Sequence, residues 1–217
     1  GYLDMSNQLL LQSSSSIEQR IKMQIVKGQA QAIDKVGIKG GGSQEPTGII
    51  GNSDVTVCYA GGATSNGTNV DGAAPVFADA IALKTAVAKN NGLSGNLAFL
   101  TTPNVAGVWQ LAKRDAGSGL FIWSQHEKDA PLNGYKAGIS NSVPGTLEKG
   151  SSGAVCSAII FGNFNDLMIG QWGGIDLVVN PYTKAKEATV EVVINSWWDI
   201  GIARAESFAA CVDALTT

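Results

Sequence analysis

Between Asn7 and Val36 the chain has no proline and a single glycine, Gly28, and its polar positions recur with helical spacing. Arg20, Gln24, Lys27, Gln31 and Asp34 follow one another at intervals of 4, 3, 4 and 3, which places them on one face of an α-helix. Ile17, Ile21 and Ile25 line one side of the remaining arc and Val26, Ala30 and Ile33 the other. The helix is therefore expected to meet neighbours over more than half its circumference. At 1.5 Å per residue it runs roughly 40 Å, and Gly37 followed by Gly40, Gly41 and Gly42 ends it.

Further along, Val55 to Tyr59 alternates as a short strand, and Gly61 to Gly72 reads as a turn-rich connection. Pro75 opens a second helix to about Lys89, with Phe77, Ala80, Ile81, Lys84, Val87 and Ala88 sharing a face. Leu97 to Leu100 is a continuous apolar run typical of a buried strand, and Thr102-Pro103 starts a third helix carrying Val105, Val108, Trp109 and Ala112. The second half reads as strands over Gly119 to Ser124, Tyr135 to Ser140, Val155 to Phe161, Ile175 to Asn180 and Ala188 to about Ser196. In the last of these Val190, Val192 and Ile194 take one side and Glu191, Val193 and Asn195 the other. Helices and strands in this order predict an α+β or α/β layered fold with no internal repeat.

Composition removes whole classes of chemistry. The 217 residues include 27 glycines, and only 15% are charged, for a formal charge of −3; that is little charge against the usual ~25%. Whole-protein attraction to nucleic acid does not follow from that balance. One histidine, His126, and three scattered cysteines, Cys58, Cys156 and Cys211, leave no close-spaced ligand pairs for zinc and no disulfide framework. No metal and no cofactor is expected. Apolar runs stop short of a membrane span, and the start, Gly1-Tyr2-Leu3-Asp4, lacks the basic and apolar regions of a signal peptide. The glycosylation pattern Asn66-Gly67-Thr68 reads first as a turn.

The segment Gly40 to Gly51 is glycine-rich but has neither phosphate-loop pattern, and it follows a helix rather than a strand, so a structural loop is expected. A serine hydrolase would depend on His126, which sits in the polar run Gln125-His126-Glu127-Lys128-Asp129. The nucleophile-elbow pattern fails at its last position both at Gly92 to Asn96 and at Gly138 to Ser142. His126 is therefore read as a solvated surface residue, and no catalytic residue is assigned. Trp197-Trp198 is read as a core or interface anchor.

The stretch Gly42-Ser43-Gln44-Glu45-Pro46-Thr47-Gly48-Ile49-Ile50-Gly51 after a long helix resembles the major capsid proteins of tailed bacteriophages with the Hong Kong 97 fold. Leu9-Leu10-Leu11 resembles the entry to that family's spine helix. Leu100-Thr101-Thr102-Pro103-Asn104 with Trp109-Gln110-Leu111, then Phe161 to Gly170, Gly173 to Leu177 and Ala203 to Phe208, resemble later segments in the same order. Two departures stand out: Pro-Asn replaces Asn-Pro, and Asn163 stands where an acid is frequent.

The resemblance implies an α+β Hong Kong 97-like fold, with a P-domain from residues 1–72 and 186–217, spine helix 7–36 included, and a mixed-sheet A-domain from 73–185. It implies a structural, non-enzymatic subunit of a phage or prophage icosahedral shell. Such a subunit self-assembles into pentamers and hexamers in the host cytoplasm and encloses DNA without sequence readout. Portal, scaffold and maturation protease are the partners the family implies, and no membrane is involved. An encapsulin-like compartment shell is the alternative, and a hydrolase using His126 a more distant one. The non-methionine start is expected to be a cut just before the spine helix. Contacts between subunits are expected on the polar helix stripe, Arg20, Gln24, Lys27 and Gln31, and in the turn-rich loops, at Phe121, Trp123 and His126.

Overall fold

A helix that runs into glycine-rich sequence leaves its last carbonyls without partners of its own, and what takes them organises the chain after it. The structure is a computed structural model that describes residues 1–12, 16–41, 43–62, 71–115, 117, 119–123 and 130–216. Strand β1 (Tyr2–Ser6) leads into helices α1 (Asn7–Gln12) and α2 (Ser16–Lys39). Past Lys39 the chain doubles back. The Ile49 amide donates to the Gly37 carbonyl at 3.0 Å, the Ile50 amide to Ile38 at 2.9 Å, and the Gly48 amide to Gly40 at 3.3 Å. A Cβ on Gly40 would lie 1.9 Å from the Pro46 carbonyl oxygen, and one on Gly48 2.4 Å from the Gly40 nitrogen. The glycine-rich motif is thus a backbone-on-backbone crossing that only glycine permits.

Contacts divide the chain into two units, Gly1–Asp34 with Ile169–Asp199, and Lys35–Met168 with Ile200–Thr217. This division differs from the one expected. Residues 35–62 and 200–216 belong with the larger unit because their backbone is tied into its sheet and helix end.

The larger unit is built on β2 (Thr56–Cys58), β3 (Leu97–Thr101), β4 (Lys136–Ile139), β5 (Leu147–Lys149), β6 (Ser152–Asn163) and β9 (Phe208–Leu215). The strand order is β2-β9-β6-β3-β4, with β5 also on β6. The β2–β9 and β3–β4 pairs are parallel; β9–β6 and β6–β3 are antiparallel. One face of the sheet carries Phe99, Ile159, Phe161, Ala209 and Cys211 against α3 (Phe77–Lys89) and α4 (Pro103–Leu111), which contribute Leu83, Val87, Val105 and Trp109. The Phe99 and Phe161 rings lie 4.4 Å apart, and Tyr135 stands edge-on to Phe161 at 5.2 Å. On the other face Ala158, Ile160, Phe208 and Ala210 pack with Ile38, Ile49 and Val55. The alternation along β6 and β9 thus serves two cores.

Caps and buried carboxylates fix the connections. Thr102 caps α4, accepting from the Val105 amide at 3.3 Å, with Pro103 in the first turn. Asp79, wholly buried, accepts from the amides of Val76 at 2.7 Å and Gly61 at 3.2 Å, while Asp213 accepts from Ala60 at 2.9 Å. Two carboxylates therefore hold the turn after β2 through its backbone, which offsets the cost of burying them.

The smaller unit holds residues of α2 and a three-stranded sheet in the order β1-β8-β7, with β7 (Leu167–Asn180) and β8 (Thr189–Ile202). β1 pairs antiparallel to β8, Tyr2 with Val193 and Met5 with Val190. Gly1 and Ile194 exchange backbone hydrogen bonds at 2.8 and 3.0 Å. Val190, Val192 and Ile194 are buried, as their alternation predicts.

Several expectations need revision. The helix expected over 7–36 is two elements, and the second continues to Lys39. Its half-buried stripe is narrow, with Ile21, Ile25, Gln29, Ile33 and Val36 in it, while Met23, Val26 and Ala30 are exposed. On α3 the inward face carries Asp79, Ala80, Leu83 and Val87, and Ile81 faces out. The expected strand at 119–124 is a single bridge from Phe121 to Lys113. The connection at 63–70, with Asn66-Gly67-Thr68, and the polar run at 125–129 lie outside the described residues.

Gly40→Ala and Gly48→Ala are expected to lower the unfolding free energy by about 2–3 kcal/mol each. Gly107→Ala, in α4 with open space around the added carbon, is expected to raise it by about 0.5–1 kcal/mol. Urea unfolding of each variant beside the parent measures the difference, and a Gly40→Ala variant as stable as the parent contradicts the crossing.

Candidate subunit interface

An unusual share of apolar surface lies open in the smaller unit. Every residue of β7 from Gln171 to Val179 is exposed on an edge strand, which in a finished fold would be short, charged or covered. Ile169, Trp172, Ile175, Val178 and Val179 are 45–59% exposed. Between Leu167 and Asn180 the only charge is Asp176.

The sheet explains which side chains face where. Leu177 and Val179 line a small apolar cleft of about 100 Å³ with Ile21 and Ile25 of α2 and Val190 and Val192 of β8. Val178 therefore lies on the opposite face of the sheet. Alternation likewise sends Trp197 away from the buried Val190, Val192 and Ile194, and it is 73% exposed. Its neighbour Trp198 is half-buried, its indole nitrogen enclosed without a hydrogen-bond partner among the described residues.

A second groove, about 430 Å³, opens among Gly1, Leu3, Gln24, Gly28, Gln29 and Ser196. The Gln29 amide nitrogen donates to Ser196 Oγ, and the enclosed Gln29 Oε1 has no donor among the described residues. The lining supplies hydrogen-bonding groups and apolar surface, and no Asp, Glu, His, Cys, Lys or Arg lies among its residues. Nearby, Asp4 and Glu191 stand opposite one another across β1 and β8. The Lys184 ammonium pairs with Asp4, and that hydrogen bond raises the lysine above its ordinary range.

The residues expected at an interface are scattered. Arg20, Gln24, Lys27 and Gln31 are exposed along the outward face of α2. Phe121 is 37% exposed in the other unit. Trp123 is only 5% exposed and belongs to the core there, its indole N–H donating to the Ala130 carbonyl at 2.9 Å. Its expected surface role is corrected on that ground: the side chain is already used inside its own subunit. His126 lies outside the described residues. Of β7 the sequence reading found only the second half, Ile175 to Asn180, and missed its exposure; the glycines at 170, 173 and 174 hide the alternation, and the unbroken lack of basic residues from 167 to 180 was the available signal.

The cysteines offer no activated thiolate. Cys58 and Cys211 are register partners on adjacent parallel strands. Burial, then the charges of Asp79 and Asp213, push the Cys58 thiol up. Burial and Asp213, which accepts from the Cys211 thiol at 3.2 Å, push Cys211 up well above its ordinary value. Thiols so placed stay protonated and inert at neutral pH. Among the described residues no group of three or more His, Cys, Asp or Glu side chains is placed to hold a metal ion, and no helix is long and apolar enough to cross a membrane.

Comparison with known proteins gives a consistent set of likenesses. The model of the phage capsid family matches residues 1–213. The major capsid protein of Halomonas phage phiHAP-1 is 25% identical over 211 residues, covering 96% of this chain; the chain spans 31% of that relative's length. Among solved structures, the capsid of a native GTA particle superposes with a TM-score of 0.71 at 22% identity, covering 99% of this chain and 71% of the other. The SrpI encapsulin of Synechococcus elongatus PCC 7942 superposes with a TM-score of 0.65 at 15% identity, covering 100% and 73%.

A thiol whose folded pKa is raised disfavours the folded state only where the unfolded chain would lose its proton first. Stability is therefore expected to be flat in Cys211 through neutral pH and to fall as pH climbs past the ordinary thiol value of 9.0. Urea midpoints of the parent and Cys211→Ala from pH 7 to about pH 10 test this; the alkaline decline should be shallower in the variant, and parallel declines contradict it.

Proposed function

The chain belongs to the phage capsid family and has its α+β Hong Kong 97-like fold, and we propose that it is a shell subunit that self-assembles into pentamers and hexamers around DNA. The observation that carries the reading is the uncovered apolar surface of the smaller unit, which a lone soluble chain has no reason to keep. Contacts that close by rotation generate rings of five or six. The GTA capsid was computed with fivefold symmetry, which fits such an arrangement.

In this reading Gly1–Asp34 with Ile169–Asp199 plays the part of the P-domain, and Lys35–Met168 with Ile200–Thr217 that of the A-domain. Arg20, Lys27 and Lys35 share the outward face of α2 with one acid, Asp34. They form a cationic strip suited to a packaged polyanion, held by charge rather than by base readout. The chemistry is contact alone. Portal, scaffold and protease are partners that a shell of this kind takes in the bacterial cytoplasm, where it assembles.

Electron microscopy of the purified protein at high concentration is expected to show rings or closed shells, and a dispersed monomer throughout would contradict the reading. The contents of particles recovered from the producing bacteria separate the two kinds of shell. Nuclease-resistant DNA inside supports the capsid, whereas protein cargo without nucleic acid supports the compartment shell that the encapsulin likeness in fold allows.

A further inference from the structure

We infer that Cys58 and Cys211 form a site for an intrachain disulfide: in oxidising surroundings the two thiols close into one bond that bolts the edge strand β2 onto β9, and in a reducing compartment they stay apart. The inference stands apart from the shell reading, since it concerns the chemistry of one chain.

The pairing follows from register and from one carboxylate. Cys58 and Cys211 are partners on the parallel strands β2 and β9, and both pack with the core that contains Phe99, Leu83 and Trp109, so they stand side by side on one face of the sheet. Neighbouring strands lie about 4.8 Å apart, within the ~4.4–6.8 Å between Cα atoms that a disulfide spans. Asp213 Oδ1 accepts from the Ala60 amide at 2.9 Å and from the Cys211 thiol at 3.2 Å. A single oxygen thus ties the chain just past Cys58 to the partner sulfur and holds the two cysteines in register. Cys156 is no rival for Cys211: it sits opposite Leu215, a full turn of the pleat further along β9, on the order of 13 Å away.

Burial separates the roles. Cys58 is half-buried on the strand that ends the sheet's order, so a dissolved oxidant reaches its sulfur from the open edge. Cys211 is wholly buried and is reached only by Cys58. With a small-molecule disulfide as the oxidant, the Cys58 sulfur attacks one of its sulfurs, a mixed disulfide forms, and the small thiolate that leaves takes up the proton Cys58 gave up. The Cys211 sulfur then attacks the Cys58 sulfur, the bond between Cys58 and the small molecule breaks, and a second small thiolate departs. Its proton comes from Cys211 by way of the Asp213 carboxylate. Two protein thiols are oxidised and one small disulfide is reduced to two thiols, so atoms and electrons balance. Burial and the charges of Asp79 and Asp213 keep both thiols protonated, with Lys89 opposing them at Cys58, so the exchange is slow at neutral pH and quickens as pH rises. What favours closure is proximity, because the second attack is intramolecular.

The test incubates the full chain with oxidised glutathione at about pH 8.5, blocks the remaining thiols in denaturant and maps the unreduced peptides. The expected product runs as a single chain on a non-reducing denaturing gel, is lighter by two hydrogens, and has Cys58 joined to Cys211 with Cys156 blocked as a free thiol. Its thermal midpoint is expected to lie roughly 4–10 °C above that of the reduced form and to return on addition of dithiothreitol. Cys211→Ser is expected to halt at the glutathione adduct on Cys58. Cys58→Ser, a change at a half-buried edge position, is expected to keep the parent's circular dichroism and both remaining thiols free. Three thiols still free after oxidation, a link that includes Cys156, a bond between two chains, or a bond that forms only in denaturant would overturn the site. A Cys58–Cys211 bond that leaves the thermal midpoint unchanged would overturn the bolting of β2.

Discussion

The last carbonyls of α2 need partners from outside the helix, and the way they are met governs the larger unit. Residues 40–51 fold back so that Ile49 and Ile50 donate to Gly37 and Ile38, which is possible only because three glycines let backbone pass within van der Waals reach of backbone. The return then delivers Ile49, wholly buried, beside Ile38, Val55, Ile160 and Phe208. A hydrogen-bonding obligation at a helix end thereby becomes the seed of a hydrophobic core, and β2 follows directly to flank β9. The glycine-rich motif, expected to be a structural loop, uses the amides of Gly48, Ile49 and Ile50 on the protein's own carbonyls.

The two units differ in how complete they are. In the larger, a central pair of strands is covered on both faces, and Phe99, Phe161, Trp109 and Phe208 are fully buried. In the smaller, a narrow stripe of α2 meets a three-stranded sheet whose described core residues are few: Met5, Val190, Val192 and Ile194. Three strands with one covered face sit near the lower limit of independent stability. Whatever covers that sheet therefore stabilises the folded form of the unit.

Helical periodicity located α2, α3 and α4, and strict alternation located β8, because each has one face in a core and one outside it. Legibility failed where both faces share an environment. β9 reads Phe-Ala-Ala-Cys-Val-Asp-Ala-Leu, a helix-forming composition, yet it is a strand buried between β2 and β6, where small side chains on both faces are what fit. β7 was legible only over Ile175 to Asn180, because it is exposed along its length and broken by glycines in its first half. On α3 the inward turn of Asp79 was hidden because a carboxylate reads as surface until the amides of Gly61 and Val76 are seen around it. Trp123 was placed at the interface by the turn-rich loop it belongs to, although its own indole has a carbonyl partner inside. The family resemblance survived all of this because it rested on the order of several motifs, and its anchor is a crossing with no room for a side chain at Gly40 or Gly48.

Charge and apolar surface are segregated in the smaller unit, and the segregation has a physical consequence. α2 carries Arg20 and Lys27 on its outward face, where they are solvated, screened and effective at range. β7 carries almost none, so contacts there lose little to desolvation and gain with buried area. In the proposed shell, steering and holding would fall to different elements. Association would then proceed at a rate that depends on salt, with a strength that depends far less on it.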